Sequence, residues 1–261
     1  MSDWDEASKD YESHWEPTTG FVVDRLVDYL APVDGASIVD AAAGPGTVTV
    51  RLAALGARVL ASDFSEAMVA RLTARAAELG LSTLVDARVA DAQSLPYAAG
   101  AADAAVSNFG IIFAPDYARA ISELARVTRR GGRLAMSAWS LESRNGWTTL
   151  LGDDYEAELG FELGPRPAYR WKSRDDFVAT LTDAGWSDVD VETIEFPLSV
   201  FASADEVVHS LESPATKLAL AKLPPEQVDA LRRYLVSRAR ARYGDGEVAL
   251  PREAWLARGV A

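Results

Sequence analysis

The chain has 261 residues, 49% of them hydrophobic, and a net charge of −13 at pH 7. It is long enough for one large α/β domain with an appendage, and its charge opposes nucleic acid or an anionic membrane as partner. Having no cysteine and two histidines, it has no disulfide framework, thiolate metal site or Cys nucleophile, and zinc is disfavoured. No apolar run reaches the ~20 residues of a membrane span, and the acidic start MSDWDEASKD does not resemble a signal peptide. The expectation is a cytoplasmic protein without a metal.

Residues 1–16 are polar but carry spaced aromatics, Trp4, Tyr11 and Trp15, together with His14. Aromatics are unusual in a disordered tail. Phe21, Val22, Leu26, Tyr29 and Leu30 recur at helical spacing, which predicts a helix capped by Thr18 or Thr19 and stopped by Pro32. Ile38 and Val39 suit a buried parallel strand that ends at Asp40. The turn Ala41–Gly46 holds only small residues and one proline, and Thr47 opens a helix that Gly56 ends. Strand, small-residue turn and helix make the first βα unit of a nucleotide-binding fold, where a ligand can lie against the backbone of Gly44 and Gly46.

Ala57–Ser62 is a second strand running into Asp63, 23 residues after Asp40. An acid there is placed to accept both hydroxyls of an adenosine ribose. It can also serve as a helix cap, although Ser65 is the better one. Phe64 and Met68 are positioned to flank an adenine ring; Met68 equally suits the core. The following helix runs to Leu79, with Gly80 behind it, and Leu84–Val89 is strand three.

Next come Ala90-Asp91-Ala92-Gln93-Ser94-Leu95-Pro96-Tyr97, a turn, and strand four at Ala104–Asn108. The tract SNFGIIFAPD leaves that strand; its Phe109, Ile111 and Phe113 read as core or as substrate wall. Asp116 caps a helix drawn to Arg130. Arg126, Arg129, Arg130 and Arg133 read as a solvated helix end complementing the dipole, or as a phosphate site. Leu134–Trp139 is strand five. Residues 141–172, rich in aromatics and acids, read as a pocket roof. Ser173 caps a helix, and strand six covers about 187–196. Helices follow at about 203–212, 214–222 and 225–242, and Val248–Arg258 reads as the last strand. Leu231, Leu235 and Ala239 share a stripe of the 225–242 helix with Val228. Its arginines, Arg232, Arg233, Arg238, Arg240 and Arg242, form either a solvated face or a grip on an anionic acceptor.

Asp40 followed by Ala42, Gly44 and Gly46 resembles the D/E-x-G-x-G-x-G motif of the class I S-adenosylmethionine (SAM) methyltransferases, with Ala42 replacing the first glycine. Residues 90–97 resemble the G-D-A-x-x-L-P-F stretch of the ubiquinone/menaquinone-type branch, and SNFGIIFAPD its S-x-F-G-x-x-F-A-P-D tract. Arg130-Gly131-Gly132-Arg133 resembles its R-P-G-G-R turn, with Arg130 for proline. The likeness covers residues 1 to about 140.

It implies a Rossmann-like α/β fold, a seven-stranded mostly parallel sheet with the last strand antiparallel and helices on both faces. Residues 1–35 become a cover and first helix, 36–200 the core, 201–246 a helical lid inserted between strands six and seven, and 247–261 the final strand. The cofactor implied is SAM, with S-adenosylhomocysteine as product. Asp40, Ala42, Gly44, Gly46, Asp63, Phe64 and Met68 then line its site, and Asn108 sits by its methionine part. Asp91 accepts from the adenine amino group, the Ala92 N–H donates to the ring, and Tyr11 binds the carboxylate. His14, in the cover, is the candidate general base. The function implied is methyl transfer to a small-molecule acceptor. The competing readings are an NAD(P) oxidoreductase, which Asp63 also suits, and a SAM-binding protein without transfer. Against the former, no Tyr is followed four residues later by Lys.

Overall fold

The computed structural model describes residues 16–141, 144–152, 154–164, 168–212, 216–217 and 220–261. Contacts divide the chain into two units. One runs to Ala138 and adds Trp171–Thr193 and Trp255–Ala261; the other is Trp139–Arg170 with Ile194–Ala254. The strands are β1 (Ser37–Ala41), β2 (Arg58–Asp63), β3 (Val85–Val89), β4 (Ala102–Asn108), β5 (Thr128–Trp139), β6 (Ser187–Glu195), β7 (Ser199–Phe201), β8 (Val248–Leu250) and β9 (Glu253–Val260). The helices are α1 (Glu16–Thr19), α2 (Val23–Leu30), α3 (Thr47–Ala54), α4 (Glu66–Glu78), α5 (Tyr117–Val127), α6 (Tyr155–Leu159), α7 (Arg174–Asp183) and α8 (Pro225–Tyr243).

The first unit is built on a seven-stranded sheet in the order β3-β2-β1-β4-β5-β9-β6. The strands β1 to β5 pair in parallel, and the last strand runs antiparallel. Ile38 and Val39 of β1 and Ala104, Ala105 and Val106 of β4 are fully buried, as the central strands of a two-sided sheet must be. Because β1 lies between β2 and β4, strand order reverses beside it, and the carboxyl ends of β1 and β4 flank the ligand crevice of an open α/β sheet. The expected caps form: Ser65, Asp116 and Ser173 accept from the N–H groups of Met68, Arg119 and Asp176.

In this unit, local structure departs from the sequence reading in two places. The chain is already helical at Glu16–Thr19 and passes through a 3₁₀ turn at Gly20–Val22 into α2; Thr19 is helical and makes no side-chain cap bond. Helix α5 ends at Val127, and β5 takes over at Thr128. The ladder to β4 skips from Ala102↔Thr128 to Ala104↔Arg133, so β5 carries a bulge. Glycine makes the bulge possible: Gly131 has φ +73°, and a Cβ on Gly132 would lie 2.7 Å from the Asp103 carbonyl oxygen.

That bulge also reassigns the arginine cluster. Only Arg126 lies on the helix, and it is a staple: it pairs with Glu123 at 2.6 Å and donates to the carbonyls of Leu95 and Tyr97. Arg129 pairs with Asp103 at 2.8 Å, holding that carboxyl below its usual range, and Arg133 donates to the Ala31 and Pro32 carbonyls.

In the second unit, β7 and β8 form their own antiparallel pair. The stretch 248–258 is therefore two strands, broken at Pro251 and Arg252, where one was expected. Ala204–Glu212 is 3₁₀ rather than α. Trp147 and Leu150 share one core with Val207, Leu211, Leu231, Leu235, Ala239, Val248 and Leu250. The two segments drawn separately as roof and lid are thus one packed body. Asn145, 5% exposed, ties its ends: its amide donates to the Leu141 carbonyl and accepts from the Glu253 N–H at 3.1 Å.

Candidate functional site

The turn after β1 alternates left-handed residues, with φ +54° at Ala42, +56° at Gly44 and +89° at Gly46. That alternation is why small residues recur at every second position. The three do different work. A Cβ on Gly44 would meet nothing within 4 Å. A Cβ on Gly46 would lie 2.7 Å from Leu72 Cγ, so the missing side chain there makes room for α4. Ala42 adopts a conformation that costs a residue with a Cβ about 1–2 kcal/mol. Gly110, which the sequence reading passed over, faces it: a Cβ there would come 2.5 Å from Ala42 Cβ. The glycine of SNFGIIFAPD thus lets the exit of β4 close against the turn.

Asp63, 6% exposed, clamps this turn. One carboxylate oxygen accepts from the Gly44 N–H and the other from the Ser65 N–H, both at 2.9 Å. The register Asp63↔Val89 brings two apolar side chains to the strand ends, Phe64 and Val89, each about half exposed. Met68, by contrast, is 2% exposed and sits as a core residue sits. Asp40 is buried as well; its carboxylate accepts from Thr49 Oγ1 at 2.6 Å, and burial pushes it up to about 7. This bond joins β1 to α3, and Thr49 gave no sequence signal of it.

Asp91 is exposed and accepts from both the backbone and the side-chain N–H groups of Gln93. The Gln93 side-chain oxygen accepts from the Asp116 N–H at 2.9 Å. Gln93 therefore joins the two tracts on which the sequence reading relied, and Ala92, half-buried, lies between Asp91 and Gln93. Asn108 is committed on both sides of its amide: Oδ1 accepts from Ser137 Oγ at 2.7 Å, and Nδ2 donates to the Thr19 carbonyl at 2.9 Å. Phe109, next in chain, is buried with φ +54° and donates its N–H to Ser137 Oγ. Left-handed backbone at a bulky residue is strain of the kind found at functional sites. Ile111 is fully buried too, so both are core. Tyr11 and His14 lie outside the described residues. Among the described residues no group of three His, Cys, Asp or Glu is placed to hold a metal, and no helix is long and apolar enough to cross a membrane.

A mostly parallel sheet with this strand order and a clamped glycine turn at its reversal define a protein of the Rossmann-like methyltransferase fold. Residues 39–136 match the methyltransferase domain family. A demethylmenaquinone methyltransferase of Mycolicibacterium vanbaalenii is 33% identical over 172 residues, 61% of this chain and 71% of its own length. An uncharacterized protein of Mycobacterium tuberculosis is 35% identical over 172 residues, 66% of this chain. The chain spans 61% of that relative's length. The YcgJ protein of Bacillus subtilis has the same fold, with a TM-score of 0.63 at 16% identity over 92% of this chain and 97% of its own. The chain belongs to the class I SAM-dependent methyltransferases, in the menaquinone-type branch. The cofactor of that family is SAM.

Proposed function

We propose that the protein transfers a methyl group from SAM to a small, partly apolar acceptor. The observation that carries this reading is the turn at Gly44, left-handed, open where a side chain would stand, and held by Asp63 at the carboxyl ends of parallel strands. A carboxylate has about four acceptor directions, so an Asp63 that receives two backbone donors is compatible with binding a ribose diol too. Phe64 and Val89 offer apolar surface beside it for an adenine ring, with Asp91 and the Ala92 N–H as polar partners. Core-bound Met68 is less suited.

SAM supplies an electrophilic methyl on a good leaving group, so the protein's tasks are placement and exclusion of water. Holding the two reactants in line at ~3–3.5 Å can lower the barrier by several kcal/mol without a metal or covalent nucleophile. We assign His14 as the general base. The name of the M. vanbaalenii relative makes a demethylmenaquinone the first acceptor to try. Membership of the family leaves the NAD(P) reading without support.

Calorimetry with SAM, S-adenosylhomocysteine and NAD is the test. Wild type should bind the first two and not NAD, and Gly44→Val should bind none while keeping its circular dichroism. Normal SAM binding by folded Gly44→Val sinks the assignment of the turn. With methyl-labelled SAM, His14→Ala should lower kcat by about 10²–10⁴-fold at unchanged cofactor affinity. An equal loss of affinity would make His14 a packing residue.

A further inference from the structure

The geometry points to Glu16 as a positioning residue that couples the order of residues 16–25 to cofactor binding. Glu16 lies on α1, and its carboxylate reaches α3, which follows the glycine turn, and α4, which packs against Gly46. Oε1 accepts from Thr47 Oγ1 at 3.3 Å, and Thr47 is the first residue of α3, directly after Gly46. The same oxygen lies 2.6 Å from Arg75 Nη1 in the last turn of α4, close but poorly aligned for a hydrogen bond. The side chains of Arg75 and Glu16 are 31% and 21% exposed, so this ion pair is shielded more than an open surface pair.

A second strap lies three residues on, where the Thr19 carbonyl accepts from Asn108 Nδ2. At the next residue, a Cβ on Gly20 would lie 3.9 Å from Thr47 Cγ2, so the backbone itself runs against α3. The segment is therefore fastened to the glycine-turn helix, to the helix after Asp63, and to the end of β4. These are the three places at which the proposed cofactor site is built. Asn108 is fixed in turn by Ser137, so its grip on Thr19 has one orientation. Neither Glu16 nor Arg75 belongs to the family motifs quoted above, and neither needs to touch the cofactor to act. Whatever orders the turn at Gly44 and the exit of β4 also orders the points to which residues 16–19 are tied. By linkage the converse holds to the same factor.

This inference rests on the reading that the turn at Gly44 binds SAM, and hydrogen exchange separates the two. In wild type, added SAM should slow amide exchange in two stretches, 42–48 and 16–25. In Glu16→Gln and in Arg75→Gln the slowing at 42–48 should persist and that at 16–25 should shrink. SAM affinity should fall by about fivefold, the low end of couplings between sites. The double variant should lose no more than either single one, since both break one contact. Turnover should show a raised KM for SAM with a smaller effect on kcat. If SAM slows exchange nowhere, the cofactor reading fails. If it slows 42–48 in all proteins while both variants keep wild-type affinity and wild-type exchange at 16–25, the coupling role of Glu16 is overturned and the cofactor reading stands. Should Glu16→Gln fold poorly, Arg75→Gln tests the same contact from the other side.

Discussion

At the scale of single residues, charge and backbone angle make the clearest predictions. The Asp40 carboxyl, buried and raised to about 7, titrates near 3.9 once the chain unfolds. Between those values the folded state holds a proton that the unfolded state has lost, so stability falls as pH rises from about 4 to about 7 and then levels off. The loss is bounded by about 4 kcal/mol, since each pKa unit is ~1.36 kcal/mol. Asp40→Asn stays neutral and keeps an acceptor for Thr49, so its melting temperature should change less over that range. Melting curves for the two proteins at pH 4.5 to 8 decide this, and parallel pH profiles would refute it. Ala42 carries the cost of a left-handed backbone, about 1–2 kcal/mol. Ala42→Gly removes that cost against ~0.4–1 kcal/mol of unfolded-state entropy. The variant should melt slightly higher and still bind SAM, and a lower melting temperature would show that Ala42 Cβ packs usefully against Gly110.

At the scale of elements, helix α8 shows how a charge pattern is resolved by neighbours. Leu231, Leu235 and Ala239 form the buried stripe expected from their spacing. Its arginines turn largely to partners within their own unit. Arg232 pairs with Glu212 and Asp229, and Arg240 with Asp205 at 2.9 Å and with Asp245. Arg238 lies over the Tyr234 ring, and Arg242 lies over the Tyr243 ring and donates to the Thr149 carbonyl. Apart from Arg232 they are exposed, which favours the solvated face over a grip on an acceptor. Exposed pairs are worth ~0–1 kcal/mol. Arg240→Gln should therefore shift stability by less than about 1 kcal/mol and leave acceptor KM unchanged; a KM raised tenfold would restore the grip. The turn at β4 teaches the same lesson. Its tract was recognisable, but the bond from Gln93 to Asp116 that links it to residues 90–97 joins positions far apart in sequence and becomes visible only in space.

At the scale of the whole molecule, the second unit has one core drawn from two distant segments. Removing a large side chain from such a core costs about 2–5 kcal/mol. Leu235→Ala should thus loosen both segments together. Amide exchange should quicken at 146–150 and at 225–243 in the same variant, while β1, β2 and β4 keep their protection. Faster exchange confined to α8 would mean that the two segments do not open as one body.

Much of the nucleotide-binding half was determined by sequence alone, because the signals there are local. Alternating left-handed turn positions demand small residues, helix caps demand Ser or Asp, and a doubly buried strand demands an apolar run. Each requirement is met within a few residues of chain, so the order of strands β1 to β5, the turn at Gly44 and the placement of Asp63 were all readable. What the tertiary structure decided depends on partners carried by other elements. Thr49 takes the Asp40 carboxylate, Leu72 fills the space at Gly46, and Gly110 meets Ala42. Glu16 reaches Arg75, and 139–170 packs with 194–254. Burial and hydrogen-bond satisfaction in those contacts are set by which segments meet, and no periodicity within either segment encodes that meeting.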